Sequence, residues 1–261
     1  KISNSSCCSG RMKKILPFLF LALMACDDDD PSNPDAKLLM TFDPRFGGTE
    51  MQMGEVNENI HGYPFHVSGM KFYLSEITLL DEDSGETRLS EIELIDIAEN
   101  RRTLEYVVPP GNYSGVKFGL GVPVELNGTN NPDFSTALYD TNHPLSVSNG
   151  MYWVWQTGYR FFIFEGRYDT VANNSGILPM SYAFHTGTDT LYRHLGPFSK
   201  NMNIQAGSSK VLSFNLEVDS MFVSGSDTVD LALESAFHGS ADQIDLGIKV
   251  ANNLARSFVL K

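Results

Sequence analysis

The sequence predicts an all-β domain: an antiparallel β-sandwich or Greek-key barrel with one C-terminal helix. Three observations support this prediction. Many short segments alternate apolar and polar residues, turns rich in Gly, Pro and Asn separate them, and helical periodicity is confined to the end of the chain. Short strands without alternating helices are typical of sandwiches and barrels.

A hairpin is the first strand feature along the chain. The segment VSGMKFYLSEITLL (67–80) alternates apolar and polar residues, and RLSEIELIDI (88–97) follows it after the turn signal Asp83-Ser84-Gly85. The apolar positions of the first strand are Met70, Phe72 and Leu74. These two segments are therefore expected to pair.

Three further segments extend the β pattern. Residues 108–122 combine a turn at Pro110-Gly111 with a strand, and residues 210–223 place alternate apolar side chains on one face. The alternating apolar positions are Val116, Phe118 and Leu120 in the first segment, and Leu212, Phe214, Leu216 and Val218 in the second. RFFIFEG (160–166) is apolar on both faces, which predicts a central strand covered on both sides.

The end of the chain changes period. Ser240 and Gln243 resemble a capping box, which indicates the start of a helix. The apolar residues that follow at helical spacing are Ile244, Ile248, Ala251, Leu254 and Phe258. We predict one helix over residues 241–255. Since no internal repeat or linker interrupts it, residues 37–261 are predicted to form one domain.

The N-terminal region has the features of an export signal. Met12-Lys-Lys and the apolar run 15–25 are too short for a transmembrane helix, and Leu23-Met24-Ala25-Cys26 resembles a bacterial lipobox. We therefore interpret residues 1–25 as upstream residues and a lipoprotein signal peptide, with a retained membrane anchor as the alternative. Cys26 is the predicted lipidation site, and residues 26–36 form an acidic tether. These features predict an exported, lipid-anchored protein of the outer membrane or cell surface.

Charge and cysteine content narrow the possible functions. The chain has 19 basic and 32 acidic residues, and removing residues 1–25 removes four basic residues and no acidic ones, which leaves 15 against 32, or −17. Such a charge excludes nucleic acid as a partner. The cysteines are Cys7, Cys8 and Cys26, so the predicted domain has no thiol for a disulfide or a thiolate metal site.

No familiar catalytic signature is present. The sequence lacks a phosphate-binding GxxxxGK[ST] loop, a GxSxG elbow, an HExxH helix and a dinucleotide fingerprint, so we do not expect an enzyme. HTGTD and HGSAD combine histidine with hydroxyl and acidic residues, but turn chemistry explains them better than a triad. Met51-Gln-Met53 could be a thioether pair for copper, although packing in the core is the favoured interpretation.

Aromatic and histidine residues are the remaining candidates. Both tryptophans, Trp153 and Trp155, lie two positions apart in MYWVWQTGYRFFIFEG (151–166), and in an extended strand they would share one face. That arrangement fits either core filling or the floor of a site. Of the six histidines, His185 follows an aromatic strand end and His143 precedes the tryptophan segment. Without thiolates, imidazole is the natural ligand for a borderline or soft metal.

These segments together resemble the MbnP-like copper-binding domain family. The specific part is W-x-W-Q-x-G-Y at 153–159 followed by F-H-x-G at 184–187, and the likeness extends from about Leu38 to the C-terminus. The weaker matching pieces are MTFDPRFGG (40–48), residues 67–85, residues 108–127 and HPL (143–145).

The resemblance implies copper bound by histidine nitrogens with help from kynurenine, an oxidised tryptophan. A dihaem partner of the cytochrome-c-peroxidase type would carry out the oxidation. By this resemblance His185 is the first candidate ligand and His143 the second, and Trp153 or Trp155 is modified. Trp155 is slightly favoured because it lies nearest the turn at 156–158. The family motif assigns no role to the other histidines, which are His61, His66, His194 and His238.

A second hypothesis needs no metal. The domain could be an adhesion, scaffold or glycan-binding sandwich in which Trp153, Trp155 and Tyr159 stack on a ligand or fill the core. The two hypotheses differ in whether a tryptophan is chemically modified.

Overall fold

Two β-sheets pack face to face and enclose the main hydrophobic core. The structure is a computed structural model that describes residues 35–128, 134–153, 158–171 and 176–261. The strands are β1 (Ala36–Phe46), β2 (Thr49–Glu50), β3 (Asn57–Glu58), β4 (Pro64–Asp81), β5 (Glu86–Asp96), β6 (Thr103–Val108), β7 (Gly111–Leu120), β8 (Phe162–Tyr168), β9 (Met180–Thr186), β10 (Arg193–Ile204), β11 (Ser209–Glu217), β12 (Val223–Ser224), β13 (Asp227–Thr228), β14 (Ala236–His238) and β15 (Phe258–Leu260). The helices are α1 (Val124–Asn127), α2 (Asp219–Phe222) and α3 (Ile244–Ser257).

The smaller sheet has the order β15-β11-β1-β2, with β6 also paired to β1, and the larger has the order β10-β7-β4-β8-β9-β14, with β3 and β5 paired to β4. Both sheets end in open edges. The predicted all-β sandwich is therefore confirmed, and the barrel alternative is not. Most neighbouring strands run antiparallel as predicted, whereas two pairs, β1 with β11 and β9 with β14, run parallel.

Aromatic side chains hold the two sheets together. Phe42 of β1 stacks on Phe214 of β11 with ring centroids 5.4 Å apart, and its edge meets Phe72 and Phe118 of the larger sheet. All four rings are buried, and burying one such side chain contributes about 1.5–3 kcal/mol to stability. The alternating apolar positions predicted for β4, β7 and β11 thus form the core.

A lobe made of the described residues 121–128, 134–153 and 158–161 covers part of the outer face of the larger sheet. Gly121 donates its N–H to the Tyr73 carbonyl as the chain leaves β7, and Tyr73 donates to the Phe161 carbonyl as the chain returns. The Tyr73 ring packs edge-on against Tyr159 in a second, smaller hydrophobic cluster. Tyr73 alternates with the apolar positions Phe72 and Leu74, so it lies on the opposite face of its strand. Packing of the lobe on that face explains why Tyr73 is nevertheless fully buried.

The tryptophan segment differs from its prediction. The central strand begins at Phe162, and none of the described residues 151–153 and 158–161 belongs to β8. Tyr152 and Tyr159 form an isolated antiparallel β-bridge, and the backbone N–H of Trp153 donates to the Gly158 carbonyl at 3.1 Å. Trp153 therefore lies in a local pairing within the lobe and not in a strand of the larger sheet, whereas Trp155 lies outside the described residues.

The C-terminal helix is present as α3, preceded by a 3-10 turn at Ala241–Gln243. The predicted capping box is not formed, because the Ser240 hydroxyl donates to Asp242 and no side chain caps the helix. Two four-residue helices, α1 and α2, were not predicted. Among the described residues no helix has the length and apolar character needed to cross a membrane.

Candidate metal site

Two histidines meet where β9 and β14 run side by side. The parallel register pairs His185 with His238, which places both side chains on the outer face of the larger sheet. Their Nδ1 atoms lie 3.0 Å apart, and the ring planes are inclined at 72°. His185 is only 7% exposed whereas His238 is exposed, so the pair joins a buried imidazole to one that solvent can reach.

Glu165 of β8 orients the buried histidine. Its Oε1 lies 2.5 Å from Nε2 of His185. Because a carboxylate accepts, Nε2 of a neutral His185 carries the proton and donates it, which leaves the lone pair on Nδ1. Nδ1 of His185 then accepts from Nδ1–H of His238. A carboxylate that holds the far nitrogen of an imidazole is the usual support for a metal-ligating histidine.

The electrostatics of the cluster favour an ionised Glu165 and a neutral His238. The hydrogen bond from His185 lowers the pKa of Glu165, although burial opposes this shift. Burial is the main cause that lowers the pKa of His238, and the neighbouring His185 and Arg160 lower it further, whereas Glu165 opposes the shift. A neutral imidazole keeps a nitrogen lone pair, which a metal ligand requires.

Trp153 forms the wall beside the pair. It is 1% exposed, and its ring centroid lies 6.1 Å from that of His185. Gly187, two residues after His185, makes this approach possible, since a Cβ there would lie 2.7 Å from Nε1 of Trp153. The F-H-x-G motif thus combines a histidine with a glycine that accommodates the indole. The Arg160 guanidinium lies over the Trp153 ring, with Cζ 4.8 Å from the ring centroid.

The arrangement supplies two converging nitrogens rather than a complete ligand set. Glu165 and His238 contact opposite nitrogens of His185, so the three side chains do not point at one position. Accordingly, within the described ranges no group of three or more His, Cys, Asp and Glu residues is arranged to hold a metal ion. The 3.0 Å between the Nδ1 atoms does allow one ion to contact both, since metal–imidazole bonds are about 2.0–2.1 Å long.

His143, the second predicted ligand, has local contacts instead. Its ring stacks on Tyr139 at 4.3 Å, and its Nδ1 accepts the N–H of Leu145 at 3.0 Å. Within the described residues these contacts belong to a turn of the lobe and do not join His143 to His185. Two other predicted site residues, Trp155 and Cys26, lie outside the described residues.

The remaining histidines are also separate from the pair. His61 stacks on Tyr63, and His194 meets the edge of Tyr192. His66 lies on β4, where its carbonyl accepts from the Tyr182 hydroxyl. These contacts give no indication of a second histidine cluster in the described part of the chain.

Sequence reasoning missed Glu165 and His238 as members of the site. Glu165 carried a usable signal, because it is an acidic residue in a strand predicted to be buried on both faces. No feature of the sequence linked His238 to the site, because it lies 53 residues from His185 and only the parallel pairing of β9 with β14 brings the two together.

Fold and site together define a β-sandwich protein with a nitrogen-donor candidate metal site. A comparison with protein families matches residues 35–241 to the family described as MbnP. The chain belongs to this family.

Among solved structures, MbnP from Methylosinus trichosporium is similar, with a TM-score of 0.55 and 16% sequence identity. The alignment covers 86% of this chain and 97% of that protein. At this identity the likeness is one of fold. No curated protein sequence matches the chain.

Proposed function

We propose that the protein binds copper at the cell surface or in the periplasm, for copper acquisition or handling and without catalysis. In this proposal His185 and His238 are the protein's imidazole ligands, and a kynurenine formed from Trp153 or Trp155 adds an aryl amine. Lipid on Cys26 anchors the exported chain. Copper is the cargo, in keeping with what the family resemblance implies.

The pair of Nδ1 atoms 3.0 Å apart is the observation that supports this function most directly. Imidazole nitrogen suits copper, and the carboxylate of Glu165 at 2.5 Å from Nε2 keeps the other nitrogen of His185 available. Binding at this position requires that the proton between the two Nδ1 atoms be lost or move to Nε2 of His238. Copper binding is therefore expected to weaken as the pH falls.

A tryptophan-derived ligand would add the donor that the pair lacks. The indole N–H has no lone pair available for a metal, whereas the aryl amine of kynurenine does. In the conversion, two oxygen atoms supplied by two equivalents of peroxide add to C2 and C3 of the indole as the bond between them breaks. Water then hydrolyses the resulting N-formyl group, so that C2 leaves as formate and the aryl amine is freed. A dihaem enzyme of the cytochrome-c-peroxidase type, with an oxygen donor, would supply the oxidising equivalents. Trp153 is supported by its 6.1 Å distance to His185, and Trp155 remains an alternative.

Adhesion or glycan binding is less well supported. A stacking platform requires exposed aromatic faces, but Trp153 and Tyr159 are both fully buried. Tyr159 also donates its hydroxyl to the Leu145 carbonyl at 2.8 Å, which ties the ring into the lobe. A purely structural role for Trp153 is the competing interpretation that the experiments must separate.

Copper titration tests the ligands. Protein produced together with its oxidising partner is expected to bind about one copper per chain, and His185→Ala or His238→Ala each to weaken binding tenfold or more, about 1.4 kcal/mol. His194→Ala is the matched control, because His194 contacts Tyr192 instead of the pair. Unchanged titration in both ligand variants would exclude this site.

Mass spectrometry of residues 151–160 tests the modification. One tryptophan is expected to be converted in protein from the native host, and Phe at that position to abolish high-affinity copper binding while the fold survives. Trp153→Phe keeps most of the aromatic area and is expected to cost about 1–2 kcal/mol of stability. Two unmodified tryptophans in copper-replete protein, with normal binding by both Phe variants, would rule out kynurenine here.

A further inference from the structure

Arg160 places a permanent positive charge beside the histidine pair. Its guanidinium lies 4.8 Å from the Trp153 ring centroid, and that ring lies 6.1 Å from His185. Nη1 donates to the Gly150 carbonyl at 2.8 Å, which holds the side chain along the lobe. The position of the charge is therefore set by the same turn that positions Trp153.

The charge of Arg160 influences the pKa values of two groups at the site. It helps to lower the pKa values of both Glu165 and His238. With neutral imidazoles, the positive charge of Arg160 and the negative charge of Glu165 sum to zero. A bound cation would then add its whole charge to a partly buried site in which a guanidinium opposes it.

We propose that Arg160 selects for ion charge, so that the His185–His238 pair prefers monovalent copper to divalent ions. The inference rests on the proposed function, because it assumes that the pair holds a metal ion. Arg160 acts here through its field and is not a ligand. Coulomb repulsion is proportional to the charge of the ion, so the penalty for a divalent ion is twice that for a monovalent one in free energy.

This proportionality separates charge selection from packing. If Arg160 only supported Trp153, its removal would disturb the ligand geometry and change the affinity of every ion by a similar factor. If its charge matters, removal improves the affinity of a divalent ion by the square of the monovalent factor. We expect removal of the charge to raise the affinity about threefold for monovalent ions and about tenfold for divalent ions, because one unit charge acts across a partly solvated site.

The test compares Cu(I) and Ag(I) with Cu(II) and Zn(II) in chelator competition, with Cu(I) handled anaerobically. Arg160→Gln and Arg160→Met remove the charge, and Met keeps an unbranched stem over Trp153. Arg160→Lys retains the charge. Lys117→Gln is the control, since Lys117 of β7 forms a surface ion pair with Glu86 of β5.

In Arg160→Gln and Arg160→Met we expect the affinity for divalent ions to rise more than the affinity for monovalent ions. Arg160→Lys and Lys117→Gln should keep the selectivity of the wild type. Added salt should reduce the difference. If the neutral variants change the affinity for all four ions by the same factor, or do not change it at all, charge selection is overturned while the proposed function remains intact. A wild-type protein that binds none of the four ions would remove both.

Discussion

At the scale of single residues, Gly187 determines how closely Trp153 approaches the histidine pair. The ideal Cβ position at Gly187 lies 2.7 Å from Nε1 of Trp153 and also collides with the Tyr159 carbonyl. A glycine two residues after His185 therefore lets the lobe close over the end of β9. Gly187 matters because it has no Cβ, and for this reason the glycine of the F-H-x-G motif is part of the site.

We predict that Gly187→Ala moves Trp153 away from His185. Overpacking of this kind costs about 1–3 kcal/mol, and the displaced indole should change the near-ultraviolet circular dichroism and weaken copper binding several-fold. Thermal or urea unfolding and copper titration measure the two effects.

Gly111→Ala is the matched control for this substitution. Gly111 lies at the start of β7 without a positive φ, and an added Cβ would meet only the Tyr113 side chain at an ordinary 3.6 Å. Equal behaviour of the two variants would contradict the role assigned to Gly187.

His238 provides a pH-dependent prediction for the metal-free protein. Its pKa is lowered in the folded state, so as the pH falls below its ordinary value of 6.5 the unfolded chain takes up a proton that the folded chain does not. The unfolded state then binds more protons, and stability decreases as the pH decreases, until the lower folded pKa is reached.

We expect His238→Gln to show a flatter decline of stability below pH 6.5 than the wild type in urea unfolding with a chelator present. The comparison isolates His238, because the other histidines are shared by both proteins. A steeper decline in the variant would mean that the folded state favours the charged imidazole.

At the scale of secondary-structure elements, helix α3 is held by its buried side and not by its predicted cap. Asn253 is fully buried, and its Nδ2 donates to the Met221 carbonyl at 3.2 Å and to the Asp227 carbonyl at 3.1 Å. One side chain thereby connects α3 to α2 and to β13. Ser240, the expected capping residue, makes no capping hydrogen bond.

Substitutions should reflect this difference. Asn253→Ala leaves two backbone carbonyls without their donor and is expected to cost about 1–3 kcal/mol of stability. Ser240→Ala is expected to change stability by less than about 0.5 kcal/mol, as most surface substitutions do. Urea unfolding of both variants measures the contrast, and a costly Ser240→Ala would show that the capping box forms in solution.

At the scale of the whole molecule, we expect membrane anchoring and metal binding to depend on different parts of the chain. The described residues of the sandwich, from residue 35 onward, belong to one compact unit. We expect anchoring to depend on lipid at Cys26, because lipidation is the durable membrane affinity that the sequence offers.

Cys26→Ser should therefore release the protein from membranes into the soluble fraction while leaving the sandwich folded. Carbonate washing of membranes, followed by detection of the protein in both fractions, measures the effect. The wild-type protein processed in parallel is the control. Retention of the variant on washed membranes would show that the lipobox interpretation is wrong.

Local patterning predicted much of the fold. The alternation at Met70, Phe72 and Leu74, the turn at Asp83-Ser84-Gly85 and the helical spacing after Gln243 each depend on neighbours within a few residues, and each appears in the structure. The pairing of Tyr152 with Tyr159 could not be predicted in this way. Tyr152 and Tyr159 favour β structure equally well in a strand or in a short reversal, and the lobe decides between them.

The sequence by itself determined the all-β class and the family resemblance, and it nominated His185 together with Trp153 or Trp155, because motif and periodicity are properties of contiguous residues. Only the tertiary structure decided which residues accompany them. His238 reaches His185 through parallel strand pairing, and Glu165 reaches it across β8 and β9. Such pairing depends on how distant strands share one sheet, which no local pattern records, and it replaces His143 with His238 as the imidazole beside His185.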